Sequence, residues 1–317
     1  MYIELEEKCE LVVENLKAMK KAFRLDTDIL RISAAMYMAN KKMTADVKDI
    51  KDCYGIIRKH EGILSIYRNN LKMIMSVRML EQDDPEAYFL TIKEIASLID
   101  SRTVFQSSYA VLAAMLIYDK AQPQDYMHYA SLTKVIYQHM KEEHRFLTGE
   151  DDMGFAALLA VSGIDLEHLK LEINECFELL KEEKMPFDAR QELSHILALD
   201  MGAPTQKVAK VKSLFEEFKR RKKKYGRSYE FVSLGMLSLI DLDVSELCDM
   251  VIEVEEWLKV QDGFHGLSCD RATRLMIASD FVVETFKPED YEMDSVLQYI
   301  TMKIAIAQQA AAAAAAA

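Results

Sequence analysis

Short, almost wholly apolar segments recur along the chain with a spacing of about 40 residues. A Ser, Thr or Asp precedes the centre of each segment by roughly nine residues, and these residue types accept the first free N–H groups of a new helix. The segment after Ser228, SYEFVSLGMLSLI, shows the pattern most clearly. The pattern predicts buried helices that begin at regular intervals, with N-caps at Thr27, Ser65, Ser107, Asp188, Ser228 and Ser268.

A longer, charged segment with apolar residues at helical spacing follows each short one, which predicts an amphipathic second helix on the outer side. A period near 40 residues is typical of stacked helix pairs of the HEAT or armadillo kind. The sequence therefore predicts an all-α fold, an α-solenoid of about seven helix pairs. The predicted pairs are 28–41 with 46–60, 66–80 with 85–100, 104–119 with 123–145, 151–162 with 165–184, 189–200 with 205–224, 229–241 with 244–261, and 269–286 with 293 onward.

We expect one helical-repeat domain over 1–317, because each pair buries its apolar face only against its neighbours. Residues 1–25 are predicted to be an N-terminal capping helix, and 27–300 the helical pairs. Residues 301–317 are either an Ala-rich C-terminal helix or placeholder alanines. Three aspartates recur late in the short helices, where we expect them to cap the next turn or to bond to a neighbouring pair: Asp119, Asp200 and Asp280.

The fourth pair breaks the period, because its entry loop is about two residues longer and acidic. Its core is Phe155–Ala160, and Thr148 or Glu150 would begin its first helix. Clustered carboxylates suit a hard cation such as Mg²⁺ or Ca²⁺, but acids are also favoured in the first turn of a helix by its dipole. His195 stands where other pairs carry Ala or Gly, so it is either a groove ligand or a core histidine. The predicted binding residues are therefore Glu150, Asp151, Asp152 and His195.

Two further clusters are candidates of other kinds. His139, Glu143 and His144 are weak metal-ligand candidates, because the two histidines are five residues apart and do not share a helix face. A basic run over 219–224 follows a long predicted helix, where it either binds an anion or remains a solvated helix end. Its predicted anion-binding residues are Lys219, Arg220, Arg221 and Lys222.

Net charge narrows the classes of partner. The formal charge is −12, which argues against nucleic acid because phosphate contacts need a basic surface. No apolar run outside the terminal alanines is long enough for a membrane span. The first ten residues are acidic and amphipathic, unlike a signal peptide. The five cysteines show no CxxC pattern and indicate reduced thiols, hence a cytoplasmic protein.

One short motif carries a resemblance. Residues 147–152, LTGEDD, followed by Ala157–Ala160, resemble a family of uncharacterised bacterial all-helical proteins that is known only as a domain of unknown function. The resemblance implies a bacterial cytosolic protein and supplies no activity.

These observations favour a non-enzymatic, helical-repeat scaffold that binds a protein or peptide. No GxSxG, P-loop or GxGxxG motif is present, so no catalytic residue and no cofactor is predicted. The alternative is a metal-dependent enzyme or small-ligand binder centred on the acidic loop of the fourth pair. The oligomeric state is left open.

Overall fold

The computed structural model describes residues 1–69, 71–102, 106–143, 149–181, 185, 187–200, 202–225, 230–265 and 269–287. Over these residues the fold is all-α, as predicted, with fourteen α-helices and three short 3₁₀ turns. The predicted second helix of the seventh pair and the Ala-rich segment 301–317 lie outside the described residues.

The α-helices fall close to the predicted segments. In chain order they are α1 Ile3–Ala22, α2 Asp28–Asn40, α3 Val47–His60, α4 Lys72–Met79, α5 Pro85–Ile99, α6 Ser108–Lys120, α7 Tyr126–Glu143, α8 Met153–Val161, α9 Leu166–Leu180, α10 Phe187–Leu197, α11 Pro204–Arg220, α12 Glu230–Ser238, α13 Val244–Lys259 and α14 Arg271–Phe286. The 3₁₀ turns are Ile66–Arg68, Pro123–Asp125 and Glu150–Asp152.

Side chains cap the helices in the manner that the sequence suggests, with some corrections. Ser107 accepts a hydrogen bond from the backbone N–H of Tyr109 and begins α6. The second helices α3, α5, α9 and α13 begin with capping aspartates, which are Asp46, Asp84, Asp165 and Asp243. These carboxylates accept N–H bonds that the first helical turn leaves free.

The other five predicted caps turn out differently or cannot be compared. Ser65 caps the 3₁₀ turn that precedes α4, and Thr27 precedes α2 without a side-chain cap bond. Helix α10 begins at Phe187, so Asp188 lies inside its first turn. Helix α14 is capped by Asp270, whose carboxylate accepts both the N–H and the hydroxyl of Thr273. Ser228 and Ser268 lie outside the described residues.

The described chain divides into two compact units. Unit one contains residues 1–13 and 164–287, and unit two contains 14–163. Within unit two, α2 packs on α4 and α6 on α8, while α5 packs on α7. Within unit one, α10 packs on α12 and α12 on α14, while α11 packs on both α9 and α13. In each unit, therefore, first helices adjoin first helices and second helices adjoin second helices.

The first helices are buried and the second helices are amphipathic, as predicted. All nine residues of α12 are buried, whereas α11 buries a single stripe that includes Val211, Leu214 and Phe218. Gly235 allows α10 to approach closely, because a Cβ atom there would lie 3.1 Å from a methyl carbon of Leu193. The small residue at this position thus serves helix packing.

The recurrent aspartates behave as predicted. Asp119 forms an ion pair with Arg78 of the preceding pair, and Asp280 accepts a 2.6 Å hydrogen bond from Ser233 of the preceding pair. Asp200 instead accepts the N–H of Gly202, 2.9 Å away, and closes the turn after its own helix. Among the helices that the structure describes, none is both long enough and apolar enough to cross a membrane.

Candidate functional site

A cavity of about 760 Å³ opens in unit two between the carboxyl end of α5, the outer face of α7 and the 3₁₀ turn 150–152. Most of its lining residues are of polar or charged types, with a few apolar side chains between them. The lining residues are Ile99, Asp100, Arg102, Thr133, Lys134, Val135, Tyr137, Gln138, His139, Lys141, Glu142, Glu150 and Met153. A pocket of this size is within the range that binds drug-sized ligands or short peptide segments.

Asp100 anchors the cavity wall at the point where α5 ends. Its buried carboxylate accepts the backbone N–H groups of Arg102 at 3.1 Å and Ser107 at 2.8 Å, so it shapes the connection to α6. The same carboxylate accepts two bonds from Nε of Arg102 and one from Nη2, at 2.8–3.1 Å. A guanidinium held by several bonds has a fixed direction in the cavity.

Arg102 also reaches across to the acidic turn, where Nη2 donates to Glu150 at 2.8 Å. The guanidinium therefore bridges two carboxylates that are far apart in the sequence. Its side chain remains half-exposed, so it is accessible from the cavity. Nη1 makes no hydrogen bond to the residues that the structure describes, and it can donate to a ligand oxygen.

Asp100 and Arg102 each stabilise the charged form of the other. Burial raises the pKa of Asp100, but the hydrogen bonds from Arg102 and Ser107 outweigh it and hold the pKa below its ordinary value. Hydrogen bonds to Asp100 and Glu150 raise the pKa of Arg102. Burial, together with the nearby charge of Glu150, raises the pKa of Tyr137, whose hydroxyl is therefore neutral at pH 7.

The three acids of the entry loop have different surroundings. Asp152 is buried, and its Oδ2 accepts the backbone N–H of Gly149 at 3.0 Å, which is a capping role. Glu150 is half-exposed, lines the cavity and pairs with Arg102. Asp151 is half-buried in the same turn. Only the first acid of the predicted trio therefore lines the cavity, and Thr148 lies outside the described residues.

The structure describes only two of the three weak metal-ligand candidates. His139 lines the cavity, α7 ends at Glu143, and His144 lies outside the described residues. Arg102 lies between the carboxylates of Asp100 and Glu150, where its positive charge disfavours a second cation. Thr133 is the one alcohol side chain among the described lining residues, and its hydroxyl donates to the carbonyl of Tyr129 in its own helix. The described lining thus suits ligand binding better than nucleophilic or metal chemistry.

His195 lies in α10 of unit one, where only 3 % of its surface is exposed. Burial of this degree leaves little of the ring for a ligand. This placement matches the reading of His195 as a core histidine more closely than the reading as a groove ligand.

The predicted anion-binding run begins in the last turn of α11, and three of its four named residues already have acidic partners. The pairs are Lys219 with Glu216, Arg220 with Glu217, and Arg221 with Glu217 and Asp249. Lys222 follows in the left-handed backbone region, at φ +59°. Anion binding by this run stays a prediction, and its charge is partly compensated within the protein.

Sequence reasoning missed Asp100, Arg102 and Tyr137. The only local signal was Asp-Ser-Arg at the end of a predicted helix, ahead of a capping serine. The partner of Arg102 in the acidic turn is 48 residues away, and no spacing rule indicates such a pair.

Comparison with known proteins gives a family and no activity. The family described as "Protein of unknown function (DUF4003)" matches residues 15–311. The "Uncharacterized protein YeaA" of Bacillus subtilis (strain 168) is 23 % identical over 222 residues, which cover 67 % of this chain and 65 % of that protein. The match thus spans just under two thirds of the curated relative, and no solved structure matches the chain. Because the family match covers most of the chain, including the acidic turn and the cavity, the chain belongs to the DUF4003 family of proteins of unknown function.

Proposed function

We propose that this protein is a non-enzymatic, HEAT/armadillo-like helical-repeat scaffold that binds a peptide segment of a partner protein in the cavity of unit two. The observation that carries the proposal is Arg102, a half-exposed guanidinium held in one orientation by Asp100 and Glu150. A pre-oriented donor loses little conformational entropy when it binds, so it contributes both affinity and specificity.

Two lining residues, Arg102 and Val135, indicate which side chains the bound peptide would carry. The free Nη1 of Arg102 suits a carbonyl oxygen or a carboxylate of the ligand. Val135 is more than half-exposed at the cavity and offers an apolar contact to an aliphatic side chain beside that oxygen. We therefore expect an acidic residue next to an aliphatic one in the bound segment. A cytoplasmic location is consistent with five buried cysteines outside any disulfide.

The alternative of a metal-dependent enzyme at the acidic turn stays a prediction. Glu150 pairs with Arg102 and Asp152 caps its own turn, but carboxylate oxygens of Asp151 and Asp152 lie within 4.8 Å of each other, as a shared cation would require.

The test is selection of binding peptides from a random phage-displayed library on the immobilised full chain, followed by titration calorimetry of the selected peptide. Arg102→Ala should weaken binding at least tenfold, or about 1.4 kcal/mol. Val135→Glu, which leaves the ion pairs intact, should weaken binding as well. Arg220→Ala is the matched control, because it removes an exposed guanidinium that is paired with Glu217 in unit one. Equal affinity of wild type and both cavity variants would reject the proposal.

A further inference from the structure

A second cavity in unit two, of about 690 Å³, lies where α1 and α3 end. Five cationic side chains among the described residues line it, and four of them are named here the basic face: Lys21, Arg24, Lys51 and Arg58. All four are exposed, and none has an ion pair or side-chain hydrogen bond among the residues that the structure describes. Among the described lining residues the one acid is Asp26, which already pairs with Lys72 at 3.0 Å. The cavity therefore carries uncompensated positive charge in a chain whose net charge is −12.

Helices α1 and α3 lie side by side and point in the same direction. Near their amino-terminal contact, the Asn15 side chain bonds to the carbonyl of Met43 at 2.9 Å and to the N–H of Ala45 at 2.8 Å. Further along, the rings of Phe23 and Tyr54 meet with centroids 6.3 Å apart. The contacts advance together along both helices, so the two loops that follow these helices leave the same end of the pair.

Those two loops carry three of the most exposed large apolar side chains of the described chain. Leu25, after α1, is 99 % exposed, while Ile63 and Leu64, after α3, are 74 % and 91 % exposed. The second loop is flanked by the cavity residues Arg58 and Lys72. Isolated exposed leucines are ordinary, but three at the tips of two loops beside uncompensated cations form a combined apolar and basic surface.

The loops are held in place from within. Arg31 donates from Nη1 to the carbonyl oxygens of Phe23 and Arg24, at 3.0 and 3.3 Å, and so fixes the turn that presents Leu25. Asn69 donates to the carbonyl of Ile63 at 3.1 Å and ties the second loop to the following turn. The apolar tips are therefore displayed by braced loops.

We propose that this end of unit two docks on a membrane surface that contains anionic phospholipids. The basic face holds headgroup phosphates, and Leu25, Ile63 and Leu64 enter the boundary between headgroups and acyl chains. The apolar tips favour a bilayer over a soluble phosphate ligand, because such a ligand would leave these side chains exposed to water. Negative charge elsewhere on the chain is repelled by such a surface, so the orientation of docking is fixed.

The experiment is co-sedimentation of the full chain with vesicles of phosphatidylcholine alone and of equal parts phosphatidylcholine and phosphatidylglycerol. We expect binding only to the anionic vesicles, and loss of it at high salt because the contacts are screened. Each neutralised cation should weaken binding about fivefold. Lys21→Gln with Arg24→Gln should therefore weaken it about 25-fold, and Lys51→Glu with Arg58→Glu more strongly. Leu25→Ser with Leu64→Ser should release the protein while leaving all charges in place.

Lys170→Glu with Lys181→Glu is the matched control, because it makes the same change of charge at two ion-paired lysines of unit one. This variant should bind the anionic vesicles like the wild type apart from a small general repulsion. Equal loss in the control and in the basic-face variants would overturn the proposal, and so would retention of binding in the latter. Calorimetric binding of inorganic tripolyphosphate at the basic face without vesicle binding would also overturn it, since the site would then belong to a soluble phosphate ligand.

Discussion

Asp280 is a carboxylic acid in the core of unit one. Only 1 % of its surface is exposed, and Oδ1 accepts a hydrogen bond from Ser233 while Oδ2 has no partner among the described residues. Burial raises its pKa to about 8; the Ser233 bond opposes this rise and the nearby Glu284 adds to it. The side chain is therefore largely protonated at neutral pH.

The raised pKa predicts that this protein loses stability as the pH rises. Between the unfolded pKa near 4 and the folded pKa near 8, the folded state binds the extra proton, so the free energy of unfolding falls across this interval. Between pH 5 and pH 8 the loss from this group should be on the order of 3 kcal/mol. Asp280→Asn should remove that slope in urea unfolding at the two pH values.

The matched control for this prediction is Asp241→Asn, which changes an exposed aspartate in the loop after the preceding pair's first helix. This control should keep the pH dependence of the wild type. The same slope in Asp280→Asn and wild type would show that Asp280 is not the group responsible.

At the scale of the helix, a buried ion pair links successive pairs of unit two. Arg78 of α4 is 3 % exposed, donates to the hydroxyl of Tyr88 at 2.9 Å and pairs with Asp119 of α6. Its guanidinium also lies 5.3 Å from the ring centre of Tyr37 in α2. The Arg78 side chain thus connects α2, α5 and α6, and it fixes how these helices pack on one another.

Asp119→Ala should destabilise the protein by about 3–5 kcal/mol, because a buried guanidinium loses its counter-charge. The control Glu216→Ala removes the partner of Lys219 in an exposed pair one helical turn apart, and should cost no more than about 0.5 kcal/mol. Both values come from urea unfolding at one pH. Similar small losses in the two variants would mean that Arg78 finds a second partner or water when Asp119 is absent.

Helix bounds were largely predictable from the sequence, because they depend on caps and periodicity that act over a few residues. Asp243 and Asp165, for instance, begin helices where the sequence places them. The prediction at Ser65 was wrong because a 3₁₀ turn intervenes before α4, and local propensity does not separate the two kinds of helix. Site residues were less predictable, since Arg102 acquires its role only when α5 and the acidic turn meet.

At the scale of the whole molecule, net charge describes the surface poorly. The total of −12 argued against nucleic acid as a partner, and the one contiguous basic run has acidic partners for three of its four named residues. The basic face, in contrast, is assembled from Lys21, Arg24, Lys51 and Arg58, which no run in the sequence connects. Only the parallel packing of α1 and α3 brings these charges together.

The burial of every cysteine has a consequence for kinetics. All five cysteines are buried and outside any disulfide, in unit one at positions 9, 176, 248 and 269, and in unit two at position 53. Burial raises the pKa of Cys9 and Cys248 to about 12, and of Cys53 and Cys176 to about 11. Since the thiolate is the form that alkylating reagents attack, native protein should resist iodoacetamide at neutral pH, as peptide-resolved mass spectrometry would show.

Fast alkylation of any one cysteine in native buffer would contradict that burial. When labelling does occur, its rate at each sulfur reports how often the surrounding helices open. The five cysteines therefore allow the free energy of local opening to be measured at five positions in the fold without any engineered probe.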